Sequence, residues 1–306
     1  MELSKRMQAV AQMVPAGHVA ADVGCDHGFV SIYLVKNGVC PHVYATDVRP
    51  GPLARAKEHI AACGLTSCIT PVLSDGLQTV PVGEEEPQGA DVMIAAGMGG
   101  KLTIRILSDA PQKAKRLTWV ILEPQSEVWL VRQWLSDNGF LIVEESMVLE
   151  DGKYYPVMKA LNTKKVSCAA AFGEGDEKAD AAERQEAAGR QEAVERQETY
   201  AACLARARKE LAALQQQMTA AKIPDEKQRM ACDWLGPQLI FQKSAVLLSF
   251  LKHTIKKDTE LLNQLPLCAS EGEKTERIRM RADHLKERLE LSGQIMRMIE
   301  GESYDG

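Results

Sequence analysis

The chain has 306 residues, 45% of them hydrophobic and 26% charged, with a formal net charge of −5 at pH 7. That is enough for one large domain or two ordinary ones, each with a proper core. No apolar run approaches the length of a membrane span, and Gln8 and Gln12 break up the segment after Lys5 and Arg6, so neither an anchor nor a signal peptide is expected.

Residues 2–14 place Leu3, Met7, Val10 and Val14 at helical spacing, and Pro15-Ala16-Gly17 ends that helix. The short apolar run Val19-Ala20-Ala21 then leads into Asp22-Val23-Gly24-Cys25-Asp26-His27-Gly28, and Phe29 to Leu34 reads as the first turns of a helix. A strand, a glycine turn and a helix N-terminus together make a nucleotide pocket in an open α/β sheet. Glycines there let backbone approach a ligand, while Asp22 and Asp26 repel a pyrophosphate. Two carboxylates suit a cationic, hydroxyl-rich ligand. S-adenosylmethionine, with its sulfonium, amino group and ribose diol, is such a ligand, and the Gly-x-Gly-x-x-Gly of a nicotinamide site is missing.

A second strand, His42 to Asp47, ends in an acid at the place where such sheets take ribose hydroxyls, with Val48 beside it. Arg49-Pro50-Gly51-Pro52 opens a helix that Gly64 closes. Ile69 to Leu73 is a third strand, closed by Ser74-Asp75-Gly76, and Asp75 is placed to meet an adenine amine. Asp91 to Ala96 is a fourth, and the spacing predicts an exit loop over Gly97-Met98-Gly99-Gly100 whose glycines admit a ligand. Lys101 to Ser108 reads as a helix with Lys101 and Arg105 on one face. A fifth strand, Thr118 to Leu122, runs into Glu123-Pro124-Gln125, and a helix around Val128 to Leu135 stops at Asn138-Gly139. The runs Phe140 to Val148 and Tyr154 to Ala160 flank the hairpin turn Glu150-Asp151-Gly152-Lys153. Strands alternating with helices predict a doubly wound, mainly parallel α/β sheet, closing near Leu161 with an antiparallel pair.

Beyond it the composition changes. Between Glu174 and Glu198 there are nine acids and four bases, a net of −5, so the rest of the chain is balanced and can still carry a local basic face. Arg-Gln-Glu recurs at 184, 190 and 196; a six-residue period builds no apolar face, so residues 162–232 are expected to form a charged, helical or partly disordered inserted arm. Tyr200, Leu204, Ala207, Leu211, Leu214 and Met218 nevertheless follow a heptad seam. In residues 233–306, Leu247, Leu251, Leu261, Leu262 and Leu265 face one way, Lys243, Lys252, Lys256 and Lys257 the other. After a turn at 266–273, Ile278, Leu285, Leu289, Met296 and Ile299 mark a final helix, so an α-helical coiled-coil hairpin is expected. Its basic residues suit a spacer, a homodimer contact or an RNA grip. The eight cysteines, Cys25, Cys40, Cys63, Cys68, Cys168, Cys203, Cys232 and Cys268, contain no Cys-x-x-Cys and form no metal-ligand cluster with the six histidines. Reduced thiols in a cytoplasmic protein without a metal are the expectation.

The fourth-strand exit lacks the amide and aromatic with which many amino-directed nucleic-acid methyltransferases grip an exocyclic amine. A ring nitrogen that is already a free nucleophile, such as N1 of adenine, needs no such grip. Taken together, Leu3-Ser4-Lys5-Arg6, the turn from Asp22 to His27, Asp75-Gly76-Leu77, Ala96-Gly97-Met98-Gly99-Gly100, Ile121-Leu122-Glu123-Pro124, Glu150-Asp151-Gly152-Lys153 and Leu235-Gly236-Pro237 resemble the bacterial tRNA (adenine-22-N1)-methyltransferases, over about 1–160 and 235–300. The family typically reads Ser-Asp-His-Ala-Tyr at Cys25 to Phe29, and Gln-Pro-Asn at Glu123-Pro124-Gln125. The resemblance implies a Rossmann-like class I domain using S-adenosyl-L-methionine, a coiled-coil C-terminal domain, and tRNA as partner. On this reading Asp22, Gly24, Cys25, Asp26, His27, Gly28, Asp47, Val48, Asp75, Gly76, Ala96, Gly97, Met98 and Gly99 surround the cofactor. Asp26 and His27 lie near the transferred methyl, although a backbone-bonded His27 fits the sequence equally. Lys5, Arg6, Lys101 and Arg105 are candidates for RNA phosphates. A small-molecule or protein methyltransferase and a non-catalytic tRNA-binding protein are the alternatives.

Overall fold

A computed structural model of the chain describes residues 2–83, 88–167, 181–265 and 273–301, and their side chains apart from 166–198 and 273–275. The chain divides into two compact units, Met1–Lys209 and Glu210–Gly306. Cys168, Cys268, the turn at 266–272 and residues 168–180 of the expected arm lie outside the described residues.

In the first unit the elements follow as α1 (Lys5–Met13), β1 (Ala20–Val23), α2 (Phe29–Lys36), β2 (Val43–Asp47), α3 (Pro50–Ala62) and β3 (Ile69–Leu73). Then come β4 (Val92–Met98), α4 (Gly100–Asp109), α5 (Pro111–Arg116), β5 (Trp119–Pro124), α6 (Val128–Asp137), β6 (Phe140–Glu150) and β7 (Lys153–Asn162). A short α7 (Thr163–Ser167) and the long α8 (Ala181–Ala220) close the series. The seven strands form one sheet in the order β3-β2-β1-β4-β5-β7-β6, in which β7 pairs antiparallel with both β5 and β6 and the other pairs are parallel. This is the doubly wound, Rossmann-like sheet expected from the alternation of elements. Chain order reverses between β1 and β4, where such sheets open a crevice at the carboxyl ends of their strands.

β1, β2, β4 and β5 are largely apolar and buried over most of their length because both faces are covered. Alternate residues take opposite sides: Val92, Ile94, Trp119 and Ile121 pack under α1, α2 and α3, while Met93, Ala95, Val120 and Leu122 pack under α4, α5 and α6. The first layer also receives Tyr200, Leu204 and Ala207 of α8, so the early part of the expected heptad seam meets the sheet unit. Tyr200 is edge-on to Trp119 at 5.6 Å, and its hydroxyl lies 3.3 Å from His18 Nε2. Arg132 and Glu145, both buried, pair at 2.9 Å on the other side. The hairpin tip carries Asp151 at φ 49° and Gly152 at φ 72°, the two left-handed residues that a twisted two-residue turn requires.

The structure differs from the sequence reading at two places here. Gly97 and Met98 belong to β4, because Met98 pairs with Pro124 beyond a bulge at Ala96, and the helix begins at once with Gly100. The six-residue α5 was not expected; it is too short to show a period.

The second unit holds α9 (Asp225–Leu235), α10 (Pro237–Phe241), α11 (Ala245–Gln264) and α12 (Glu273–Glu300). Lys252 pairs with Glu300 at 3.0 Å and Asp258 with Arg288, so α11 and α12 run antiparallel. Their seam is more polar than expected. Thr254, Asp258 and Ser292 are buried in it with Leu247, Leu251, Leu285, Ile295 and Ile299, whereas Leu289 and Met296 are half-exposed. The bidentate Arg288–Asp258 bond explains the rotation: a fully buried carboxylate must keep its partner. Leu211, expected in the α8 seam, is exposed, while Leu214 and Met218 are buried.

Candidate functional site

The carboxyl ends of β1, β2, β3 and β4 surround a cleft of about 620 Å³, a size ordinary for a small-molecule site. Asp22, Gly24, Cys25, Asp26, His27, Asp47, Val48, Asp75, Gly76, Ala96, Gly97 and Met98 all line it. A side-chain row read from separate strand ends therefore converges on one place.

Each acid is held differently. Asp22 is buried and accepts a 2.6 Å bond from the Ser31 hydroxyl on α2; burial pushes its carboxyl up to about 6, against the lowering effect of Ser31. Asp47, the last residue of β2, accepts the Arg49 backbone N–H at 2.8 Å. Asp75 faces Arg105 at 3.3 Å. Asp26, two-thirds exposed and at φ 51°, lies 3.7 Å from the His27 ring nitrogen. The Cys25 thiol is raised by burial and by the charges of Asp22, Asp47 and Asp26, so it stays protonated and is no nucleophile. His27 stacks on Phe29 at 5.3 Å, and its carbonyl is bonded by His59.

The glycines divide into two kinds. Gly24, at φ 75°, and Gly97, at φ 78°, border the cleft, and a Cβ on Gly24 would come 3.1 Å from Met98 Cε. Gly28 does not line the cleft; a Cβ there would press on Ala56 at 3.3 Å, so it serves the contact of α2 with α3. Gly99 and Gly100 are likewise closely packed against the start of the segment after β5. Their Cβ positions fall 3.0 Å from Ser126 Oγ and 2.4 Å from the Ser126 carbonyl.

The four candidate phosphate cations separate. Lys5 is exposed on α1, and Lys101 stands 3.8 Å from Glu127; neither borders the cleft. Arg105 lies at the rim, shared between Asp75 and Asp109. Arg6 stands in the cleft wall rather than on an open face. Its Nη1 donates to Glu123 at 3.1 Å, its Nε is 3.8 Å from Glu150, and its guanidinium covers the Tyr155 ring at 5.0 Å.

Glu123 was quoted from the sequence as a strand-end acid without a role. It is fully buried, accepts the Gly97 N–H at 2.7 Å as well as Arg6, and burial raises its carboxyl despite both partners. Met7, Val23, Phe29, Val30, Arg49, Ser74, Leu102 and Ile106 also line the cleft, without a site role in the sequence reading, as does Gln125, quoted there only against the Gln-Pro-Asn of the family. Arg49 had a signal, a cation two residues after a strand-end acid, whereas Gln125 reaches the cleft only through the pairing of β4 with β5. Among the described residues no group of His, Cys, Asp or Glu could hold a metal ion, and no helix is long and apolar enough to cross a membrane.

A cleft at the switch point of such a sheet, walled by carboxylates and opened by glycines, is built for a small cationic nucleoside. Residues 3–158 match the methyltransferase domain family, and the chain belongs to it.

The chain is 36% identical over 160 residues to the tRNA (adenine(22)-N(1))-methyltransferase of Bacillus subtilis, a match covering 52% of this chain and 65% of that relative. The crystal structure of that organism's m1A22 tRNA methyltransferase shares the fold, with TM-score 0.67 and 24% identity over 96% of this chain and 99% of that one. A Streptococcus pneumoniae putative tRNA (m1A22) methyltransferase, solved in complex with S-adenosyl-L-methionine, matches at TM-score 0.61 and 25% identity, covering 94% of this chain and all of that one.

Proposed function

We propose that the protein transfers the methyl group of S-adenosylmethionine to N1 of an adenine in tRNA, at position 22 in the D-arm, in the cytoplasm. The observation that carries this reading is the convergence of Asp22, Asp47 and Asp75, from three successive strand ends, on one cleft beside Gly97. The activity of the Bacillus subtilis relative named above supports it.

The residues fit this cofactor on two counts. The donor set is anionic where a sulfonium, an amine and a ribose diol need acceptors. Gly24 and Gly97 keep backbone within reach of a ligand, where side chains would intrude. When bound, S-adenosylmethionine supplies an electrophilic methyl group. Asp47 would hold the ribose hydroxyls and Asp75 the adenine amine, while Asp22, Asp26 and the Gly24–Cys25 backbone surround the methionine end. The protein's own task is alignment, because the in-plane lone pair of N1 is unprotonated near neutral pH and needs no base. Asp22 and Asp26 hold negative charge beside the sulfonium, so they serve cofactor binding and alignment; the positive charge leaves sulfur for the base as the methyl moves, and a contact made equally before and during that step does not speed it. N1 lies on the pairing edge, so the protein must receive the target nucleotide unpaired and turned out of its stack.

Incubation with methyl-labelled cofactor and total tRNA, followed by mapping of modified bases, tests the reading. Label at N1 of one adenine is the expected result. Label in protein or small molecules but not in RNA would replace the substrate class, and failure to bind the cofactor would point to a non-catalytic RNA-binding protein.

A further inference from the structure

The fourth-strand exit carries no amide of its own, yet the structure brings one to it. Gln125 follows β5, and its backbone N–H donates to the Met98 carbonyl at 2.9 Å, tying the two exits together. A Cβ on Gly97 would stand 3.5 Å from Arg6 Nη1 and 3.9 Å from Gln125 Nε2. The open face of Gly97 is thus a floor between two polar walls, and all three residues line the cleft. The walls differ in freedom. Arg6 is clamped by Glu123, Glu150 and the Tyr155 ring. The Gln125 side chain is exposed and makes no hydrogen bond to any described residue, so its donor and acceptor are both unspent.

We propose that Gln125 reads the target base, accepting from the N6 amine and donating to N7 of adenine, with Gly97 beneath the ring and Arg6 as the fixed opposite wall. The assignment rests on the RNA-methylating reading above. Its chemistry explains how an amide can select adenine without obstructing the reaction. A glutamine amide matches the N6/N7 edge of adenine with two bonds, and guanine, with acceptors at O6 and N7, cannot satisfy it. That grip uses the N6/N7 edge and leaves the adjacent pairing edge, which carries N1, open to the methyl donor.

The test is a cycle between protein and substrate. Transcripts carrying adenosine, purine riboside (no N6 amine) or 7-deazaadenosine (no N7) at the position methylated by the wild-type protein are compared with wild type, Gln125→Ala and Gln125→Glu. Wild type should lose about 5- to 100-fold in kcat/KM on each analogue, the discrimination expected of a two-bond base contact. Gln125→Ala should lose a similar factor on adenosine and then respond far less to either replacement. The lower intrinsic nucleophilicity of purine riboside affects every variant alike and cancels in the ratio. Gln125→Glu should keep its sensitivity to the N6 amine and lose that to N7. Cofactor affinity should be unchanged in both variants. If Gln125→Ala discriminates the three transcripts as wild type does, the assignment is wrong while the enzyme reading stands. If wild type methylates no transcript at all, both fall.

Discussion

Asp22 offers a way to test the cofactor cleft without RNA. Its carboxyl is raised to about 6 by burial, with Ser31 pulling the other way. If the ionised form meets a cationic ligand, binding must draw the proton off, and affinity must fall as pH drops through that value. The fraction of protein in the competent form gives the size: at pH 5 about one molecule in eleven is ionised, so the dissociation constant for S-adenosylmethionine should be about tenfold weaker than at pH 7.5. The sign comes from linkage: the free protein holds a proton at pH 5 that the complex releases. Calorimetry across pH 5 to 7.5 in buffers of different ionisation heat would report both the affinity and the proton. Ser31→Ala should move the midpoint upward, because it removes a bond to the charged form. Asp22→Asn can keep the Ser31 bond and should flatten this dependence, whatever His27 and Asp26 contribute. A variant with the wild-type slope would refute the reasoning outright.

Three further outcomes are expected. Asp47→Ala should weaken cofactor binding by about tenfold or more while leaving tRNA affinity nearly intact, measured by calorimetry and filter binding; a charge-assisted bond is worth about 1.5–3 kcal/mol. Gly76→Ala forces a Cβ into Ile106, whose Cγ2 would be 2.7 Å away, at a φ of 60°. It should destabilise by about 2–4 kcal/mol, visible as a lower urea midpoint with unchanged slope. Glu145→Ala removes a charged hydrogen-bond partner of the buried Arg132 and should cost about 1.5–3 kcal/mol in the same assay, whereas an exposed control such as Lys101→Ala should stay within about 0.5 kcal/mol.

The parallel part of the sheet was legible because β1 to β5 are short, mainly apolar runs with an acid or a glycine at or just beyond their ends, and those same endings announced the cleft. What was hidden depended on contacts remote in sequence. Met98 is a strand residue only because Pro124 lies beside it, and Gly100 is required only by the carbonyls of Ser126 and Glu127. Gly28 looked like part of a ligand turn, but its neighbour Ala56 belongs to the next helix. In the second unit the spacing of leucines pointed near the right stripe. A buried Asp258 and Ser292 then claimed positions that hydrophobicity alone cannot assign. Arg6 read as a cation free to meet RNA phosphates for the same reason: its carboxylate partners come 117 and 144 positions later.

That separation has a bearing on biogenesis. During synthesis the guanidinium emerges well before the carboxylates of Glu123 and Glu150, so the wall they form closes only when the hairpin has left the ribosome. Joining points so distant makes this a late event in folding, after the local strand–helix pairs have settled. A nascent chain truncated short of Glu150 should carry most of the sheet and still lack a finished chamber.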